Sequence, residues 1–272
     1  MMKFTLHPKG MESVFQHFCI KNLRILTFGD IHGRSVWKDV IDKEGIDNLD
    51  LIVFLGDYFT SREGIPTEIQ EENFRHIVYF KNMYPNKVVL LRGNHDMEAC
   101  KYYWAECNPS HHSIWVCENK EWFLDNTQWV LQIDDVVFSH AGITKRWYED
   151  MREKYPEINC FEDINKIEPS EMFGFRPSKL SDYYGESETQ PCTWIRPAFL
   201  CEYGFPEIRY VVGHSTVNHI IECRKSLIEQ YDDLIDWAKC EIWLCDTLPR
   251  EYLIIDHGKF IPTEIPETIL EK

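Results

Sequence analysis

The sequence has no apolar run approaching the roughly 20 residues that a membrane-spanning helix needs. Its first twenty residues, Met1–Ile20, contain Lys3, His7 and Lys9, and no sustained apolar core or small-residue cleavage site follows them. The segment is therefore predicted to be a peripheral extension and not a signal peptide. No membrane partner is expected.

The ten cysteines include no Cys-x-x-Cys pair, which argues against a zinc ribbon or a thioredoxin-like site. Several occupy apolar settings, such as Cys245 after Trp243-Leu244, where a free thiol packs as a small hydrophobe. Five disulfides would be the alternative use of ten cysteines. A reduced, cytoplasmic protein is the simpler interpretation.

The sequence also lacks a basic patch, and its formal net charge is −16. A surplus of this sign repels long polyanions, so no long nucleic acid partner is expected. Divalent cations bound among the carboxylates would neutralise part of the charge locally.

What the chain does have is ample core material: 44% of its 272 residues are hydrophobic and 14% are aromatic. One elaborated domain over residues 1–272 is preferred to two small ones. The acidic stretch Glu149–Glu188, interrupted by prolines, is predicted to be an irregular insertion or lid that extends to about residue 190. The Pro-rich tail Ile261–Lys272 is expected on the surface.

Three times in the first hundred residues an apolar strand ends in a polar, glycine-containing turn that leads into a helix. The predicted strands are Leu23–Phe28, Asp50–Leu55 and Lys87–Leu91. The helices after the first two cover Ser35–Glu44 and Thr67–Tyr84. This repetition is typical of stacked βαβ units with a ligand site at the carboxyl ends of the strands.

The second half of the chain continues with strands that end in histidine. A hairpin of Thr127–Ile133 and Val136–Ser139 leads to His140, and Ile208–Val212 leads to His214. Residues 108–126 are predicted to be a loop. The remaining predicted strands are His219–Cys223, Glu241–Cys245 and Tyr252–Asp256, and the remaining helices are Ala99–Cys107, Thr144–Tyr155 and Arg224–Lys239.

Five of these strands end in polar clusters. Taken singly, each cluster has an ordinary explanation as a helix cap or a turn. Together they occupy the edge where an α/β sheet builds its ligand site, and carboxylate, amide and imidazole groups without thiolate suit a first-row divalent metal. The clusters are Asp30 with His32, Asp57, Asn94 with His95, His140, and His214.

This ordered set resembles the calcineurin-like metallophosphoesterases, particularly the branch of serine/threonine phosphoprotein phosphatases and their bacterial and phage relatives. The resemblance spans about residues 23–256 and implies an α/β fold, a four-layer α-β-β-α sandwich of two mixed sheets with a dinuclear metal site at the strand carboxyl ends. The matching segments are Gly29-Asp-Ile-His-Gly33, Gly56-Asp57, Arg92-Gly-Asn-His-Asp96, Ser139-His-Ala-Gly142 and Gly213-His214.

The resemblance also implies two divalent ions, with manganese preferred and iron, zinc or magnesium as alternatives. A hydroxide activated by both ions would attack phosphorus in line, and His95 would protonate the leaving oxygen. The implied ligands are Asp30, His32 and Asp57 for the first ion, with Asp57 bridging to a second ion that is completed by Asn94, His140 and His214.

Two arginines match phosphate-binding positions of the family. Arg92 comes two residues before Asn94, and Arg196 lies in a Trp-x-Arg segment that recurs in the bacterial branch. A fixed guanidinium stabilises the charge that builds on the non-bridging phosphate oxygens. A surface ion pair is the alternative for Arg196.

The chain departs from the family in two motifs. The family's second motif continues Gly-Asp-x-x-Asp-Arg-Gly, whereas here Thr60 replaces the Asp that orients the general acid and Ser61 replaces the Arg. Arg62 is displaced by one residue and would reach the phosphate if the loop bulges. In addition, Thr216 stands where many phosphodiesterases have a second His, which leaves the first metal with three protein ligands.

The function predicted from these features is metal-dependent hydrolysis of a phosphomonoester. The substrate would be a phosphorylated small molecule, a nucleotide or a phosphoprotein. One alternative is a nucleotide phosphodiesterase or dinucleoside polyphosphate hydrolase. Another, of a different class, is a catalytically silent metal-binding regulatory module.

Overall fold

The computed structural model describes residues 18–99, 118–169, 172, 185–223 and 240–270. These residues form two five-stranded sheets, each containing parallel and antiparallel pairs. None of the helices in this part of the chain is long and apolar enough to cross a membrane. The cysteines that it includes are free thiols.

The first sheet is built on the predicted βαβ units. Its strands β1 (Arg24–Phe28), β2 (Leu51–Phe54) and β3 (Val88–Leu90) are parallel neighbours. On the other side of β1, the C-terminal hairpin adds two antiparallel strands, here numbered β9 (Glu251–Asp256) and β10 (Lys259–Glu264). The strand order is β10-β9-β1-β2-β3.

The second sheet is formed by β4 Val130–Ile133, β5 Val136–Ser139, β6 Arg209–Val212, β7 Ile221–Glu222 and β8 Glu241–Leu244. The strand order is β4-β5-β6-β8-β7, with β5, β6 and β8 parallel. The first two strands form the predicted hairpin around Asp134 and Asp135.

Helices follow most of the parallel strands, as a βαβ arrangement requires. The helix Lys145–Lys154 is capped by Thr144 as predicted, since the Thr144 hydroxyl accepts a hydrogen bond from the Trp147 amide. Short 3-10 helices cover Ile20–Asn22, Ile46–Asn48 and Phe161–Lys166. The α-helices are α1 Trp37–Glu44, α2 Thr67–Met83, α3 Asn94–Ala99, α4 Lys120–Asn126, α5 Lys145–Lys154, α6 Pro197–Tyr203 and α7 Glu267–Leu270.

The apolar residues divide into an inner and an outer core, which confirms the predicted sandwich. Between the sheets, side chains from β1, β2 and β9 meet side chains from β4, β5 and β6 in one buried cluster. On the outer faces, Trp37 of α1 packs against Phe54 at a ring-centroid distance of 5.6 Å, while Trp147 of α5 and Leu200 of α6 are buried beside the second sheet.

One segment predicted to be a loop contains a helix, since residues 120–126 form α4. The tail from Ile261 lies largely at the surface, as predicted, and its described residues continue β10 before forming α7. Long-range contacts explain the tail: Phe260 stacks on Trp243 at 4.9 Å, and Pro262 is tolerated because β10 is the edge strand. The predicted helices Ala99–Cys107 and Arg224–Lys239 lie outside the described residues, apart from residue 99 at the end of α3.

The first part of the acidic stretch is packed onto the second sheet. Asn165 accepts hydrogen bonds from the amides of Trp129 and Val130 at 2.8 and 3.0 Å. Its amide nitrogen donates to the Val130 carbonyl at 2.9 Å. The Asn165 side chain thus satisfies the backbone groups at the start of β4, an edge strand of this sheet, and covers that part of the edge.

Replacing Asn165 with Ala should lower the free energy of unfolding by about 2 kcal/mol, because two backbone amides lose their partner at once, whereas the Val130 carbonyl still accepts from Gln128 Nε2. Urea denaturation followed by circular dichroism measures the change. Asn159→Ala is the matched control, since exposed Asn159 uses its side-chain amide only on the neighbouring Glu157 carbonyl. Equal stability of the two variants would contradict the proposed role of Asn165.

Candidate metal centre

The strands of both sheets deliver polar residues to one place. β1, β2 and β3 end just before Asp30, Asp57 and Asn94, and β5 and β6 end just before His140 and His214. The turns are tied to each other by backbone hydrogen bonds, His32 N to Asp57 O at 2.7 Å and Gly213 N to His140 O at 2.9 Å. Parallel strands of two facing sheets therefore share a single loop cluster at their carboxyl ends.

One group of ligand atoms is compact and almost fully buried. Asp30, His32 and Asp57 each offer one ligand atom, and these atoms lie within 4.8 Å of one another. The three residues are 1%, 2% and 1% exposed. Two carboxylates and an imidazole at such distances form a site that suits a divalent cation.

A second group adjoins the first through Asp57. The Asn94 Oδ1 atom lies 3.0 Å from His140 Nε2 and 3.0 Å from His214 Nδ1. Asp57 Oδ2 lies 3.4 Å from the same His140 nitrogen. The structure thus brings together all six residues predicted as ligands.

Backbone carbonyls fix which nitrogen of two imidazoles faces the cluster. His32 Nδ1 is 2.8 Å from the Phe59 carbonyl, and His140 Nδ1 is 2.8 Å from the Leu55 carbonyl. A carbonyl accepts only from a protonated ring nitrogen, so Nδ1–H is the donor in both rings. Both Nε2 atoms therefore face the cluster, where His32 Nε2 has no hydrogen-bond partner and His140 Nε2 contacts Asn94 Oδ1. Metal-ligating histidines usually have this arrangement, in which the other ring nitrogen bonds an outer partner.

The turns place these side chains at a conformational cost. His32, Asp57 and His214 have φ values of 45°, 51° and 62°, in the left-handed region that non-glycine residues seldom adopt. The close approach also requires glycine: a Cβ on Gly93 would lie 2.0 Å from Asp57 Oδ1, and one on Gly213 would lie 2.1 Å from Asp30 Oδ1. Strained backbone of this kind is characteristic of functional sites.

Burial and the charges of neighbouring side chains shift the pKa values of the cluster. Burial and then the charge of Asp246 hold the pKa of Asp30 well above its ordinary value. Burial also raises the pKa of Asp57, but the nearby charges of His140 and His95 more than offset it and leave that pKa below the usual range. His140, although buried, has a pKa raised to about 10 by Asp57 and Asp30.

Three buried atoms of the cluster have no hydrogen-bond partner: Asp30 Oδ2, His32 Nε2 and His214 Nε2. An unpaired polar atom in the protein interior is costly. Cations at this position would bind the first two of these atoms and offset the repulsion between the carboxylates. The donor set of oxygen and nitrogen atoms, without thiolate, therefore fits divalent metal ions.

His95 borders the cluster but differs from the ligands in being partly exposed. Its backbone amide donates to Asp57 Oδ1 at 2.9 Å, and its ring lies 5.5 Å from the ring of His32. A titratable ring thus lies at the partly exposed border of the cluster.

Residues 23–218, more than half of the chain, match the family model of the calcineurin-like phosphoesterases. The chain belongs to this family. This phosphoesterase is accordingly a hydrolase of phosphoric esters, as the resemblance implied. No curated protein matches the chain.

The phosphoesterase also resembles solved structures. A protein serine/threonine phosphatase from Saccharomyces cerevisiae, with similarity to human phosphatase PP5, is 13% identical over 90% of this chain and 81% of that chain, with a TM-score of 0.53. A crystal structure provisionally assigned as a diadenosine tetraphosphatase is 18% identical over 89% of this chain and 94% of that chain, with a TM-score of 0.49. At these identities the likeness concerns the fold.

The predicted phosphate arginines have different surroundings in this phosphoesterase. Arg196 Nη1 lies 3.3 Å from Ser215 Oγ and 3.5 Å from the His214 carbonyl, beside a metal ligand. Arg62 is exposed and donates to Thr216 Oγ1 at 3.1 Å, two residues after His214. Both guanidinium groups therefore border the cluster.

Arg92 points elsewhere. Its guanidinium donates to the carbonyls of Leu124 and Thr127 at 2.6 and 2.7 Å and to the Thr127 hydroxyl at 2.8 Å, and it covers the ring of Trp129. These contacts bind it to the C-terminal end of α4, where carbonyls without helical partners attract a cation. The structure thus ties Nε and Nη2 of Arg92 to the end of α4, and its predicted contact with phosphate stays a prediction.

Two carboxylates of the site are absent from the predicted set. Asp96 is fully buried and accepts hydrogen bonds from the amides of Asp57, Tyr58 and Gly93 at 2.7–2.8 Å. Asp246 follows β8 and is 4% exposed. A signal existed for both, because Asp96 closes the Arg92–Asp96 motif and Asp246 is one more polar residue at a strand end.

Asp96 should hold together the turns that follow β2 and β3, because it accepts hydrogen bonds from amides of both. Replacing it with Ala frees three amides and should weaken metal binding by about 10- to 100-fold, the usual effect of losing an outer partner of a metal ligand. Elemental analysis and calorimetric titration with Mn²⁺ measure the change. Asp125→Ala, on the exposed side of α4, is the matched control. If both variants bind Mn²⁺ as tightly as the wild type does, Asp96 has no such role.

Proposed function

We propose that this phosphoesterase hydrolyses phosphomonoesters at a dinuclear centre of divalent cations, with Mn²⁺ as the preferred ion. Asp30, His32 and Asp57 hold the first ion in this proposal, and Asp57 with Asn94, His140 and His214 holds the second. The observation that carries the proposal is the set of contacts among these six buried side chains. Three of their buried atoms have no hydrogen-bond partner: Asp30 Oδ2, His32 Nε2 and His214 Nε2.

Asp57 would bridge the two ions in this proposal, and its position supports that role. It belongs to the compact carboxylate and imidazole group, and its Oδ2 atom also faces His140 of the second group. Two cations bound in this way would lower the pKa of a water between them and polarise the phosphoryl oxygens. Everything else in the reaction is left to side chains around the metals.

His95 supplies the proton for the leaving oxygen in this mechanism. The hydrogen bond from the His95 amide to Asp57 Oδ1 fixes the position of this general acid relative to Asp57. Water activated by the divalent ions would hydrolyse the ester without a covalent phosphoenzyme, so the mechanism would require neither a Ser nor a Cys nucleophile. The free thiols of the described residues accordingly have no part in it.

Arg62 and Arg196 bind the phosphate in this proposal. Burial and then the charge of Arg62 lower the pKa of Arg196. The partners of the two guanidinium groups, Ser215 and Thr216, are adjacent in the sequence. A phosphate dianion between them would relieve the repulsion and accept charge-assisted hydrogen bonds from both. Arg92 is left out of this proposal, because its Nε and Nη2 atoms bond to Thr127 and Leu124.

Removing the general acid tests the mechanism. His95→Ala should keep its metals and lose between about 100-fold and 10,000-fold in kcat on phenyl phosphate, whose leaving group needs a proton. On p-nitrophenyl phosphate the loss should be smaller, because p-nitrophenolate departs without one. Stopped assays with Mn²⁺ measure both rates. An equal loss on the two esters would contradict the role of His95 as the acid.

Asp57→Asn tests the bridge. The amide removes one negative charge from the point where both groups of ligands meet, so the variant should lose both metals, as elemental analysis of the purified protein would show. Asp50→Asn is the control, because that carboxylate is exposed and accepts only from the Arg24 amide. Normal metal occupancy in Asp57→Asn would refute the bridging assignment.

A comparison of phenyl phosphate with bis-p-nitrophenyl phosphate tests the substrate class. Two arginines beside the metals favour the dianion of a monoester, so wild-type kcat/KM should be higher for the monoester. A preference for the diester would replace this proposal with phosphodiester hydrolysis. Two metals bound without turnover of either ester would favour the regulatory module.

A further inference from the structure

The loop after His214 contains a hydroxyl that links two parts of the site. Arg62, from the segment between β2 and α2, donates from Nη1 to Thr216 Oγ1 at 3.1 Å. The Thr216 hydroxyl in turn donates to Asp246 Oδ2 at 2.7 Å. Three residues that are distant in sequence thus form one chain of hydrogen bonds, which ends at a buried carboxylate.

We propose that Thr216 is a positioning residue that holds Arg62 in place for phosphate binding, with Asp246 as its anchor. This inference rests on the proposed function, because it concerns the arginine pair of the same site. It assigns a role to Thr216 and Asp246, neither of which is among the six proposed metal ligands.

The chemistry of a hydroxyl explains why threonine suits this position. A hydroxyl has one proton and two lone pairs. Asp246 takes the proton, so the oxygen must present its lone pairs to Arg62, and the direction of both bonds is fixed. Arg62 is exposed, and a long exposed side chain without a partner would populate many rotamers. The bond to Thr216 selects one of them.

The anchor is itself held firmly. The backbone carbonyl of Asp246 accepts from the Val217 amide at 3.0 Å, which ties the end of β8 to the loop after β6. A Cβ on Gly29 would lie 2.0 Å from the Cys245 carbonyl, so β8 ends in close contact with the turn after β1. Asp246 is therefore fixed relative to the turn that carries Asp30 and His32.

Arg196 makes a similar contact with Ser215, the residue before Thr216. Its Nη1 atom lies 3.3 Å from Ser215 Oγ, so Ser215 and Thr216 each contact one of the two guanidinium groups. The charges that act on Arg196 are those of Arg62, Glu186 and Asp30. The pair of arginines would cradle an anion with several free oxygens, and a phosphomonoester offers three terminal oxygens whereas a diester offers two.

A double-mutant cycle tests whether Thr216 acts through Arg62. Thr216→Val keeps the shape of the side chain and removes the hydroxyl, which should lower kcat/KM for phenyl phosphate about 10-fold, as expected for losing one hydrogen bond to a charged group. The loss should appear mainly in KM. In the Arg62→Ala background the same substitution should change kcat/KM by less than about 2-fold, because the bond is already absent.

Thr216→Ser is the rescue variant, because it retains the hydroxyl and should bind inorganic phosphate as the wild type does. Thr263→Val is the matched control, since Thr263 lies on the edge strand β10 and bonds only the Ile261 carbonyl. Calorimetric titration of the Mn²⁺-loaded proteins with inorganic phosphate gives a readout that needs no turnover. Thr216→Val should show weaker phosphate binding by the same factor as its rise in KM.

The outcomes separate this inference from the proposed function. Equal losses for Thr216→Val in the two backgrounds, or no loss in either, would overturn the positioning role. Failure of the wild type to hydrolyse any monoester would overturn the proposed function alone, because the phosphate titrations would still measure the coupling between Thr216 and Arg62.

Discussion

The structure depends on the burial of charged and polar side chains at the place where the strands of the two sheets end. Asp30, His32, Asp57, Asn94, His140 and His214 are all at most 6% exposed. Groups of this kind are costly to bury unless they are paired. Pairing among themselves is incomplete, since three of their atoms have no partner, and divalent cations would complete it. The strained turns and the required glycines then have a common reason, which is to bring these side chains together.

Much of this arrangement could be predicted from the sequence because its signals are local. Short apolar runs that end in Gly-Asp, Gly-Asn-His or Gly-His identify both the strand and the residue at its carboxyl end. The strands β1, β2, β3, β5 and β6 therefore formed close to their predicted bounds, and all six predicted ligands lie together. The helix cap at Thr144 is a signal of the same kind.

What could not be predicted depends on partners far away in the chain. The direction of Arg92 is decided by carbonyls at the end of α4, about thirty residues later, in a segment that has no clear apolar period. The edge strand β10 is held by Trp243 and by pairing with β9. Asp96 was within a recognised motif, yet its three amide contacts appear only when two turns are side by side. The contact between Arg62 and Thr216 joins residues 154 positions apart.

The most direct test of the account is electron paramagnetic resonance during titration of the metal-free protein with Mn²⁺. Two ions that share the Asp57 carboxylate should be exchange-coupled, so the spectrum should develop the multiline signal of a Mn²⁺ pair and saturate at two equivalents per chain. A six-line spectrum of isolated Mn²⁺ that saturates at one equivalent would contradict the dinuclear centre.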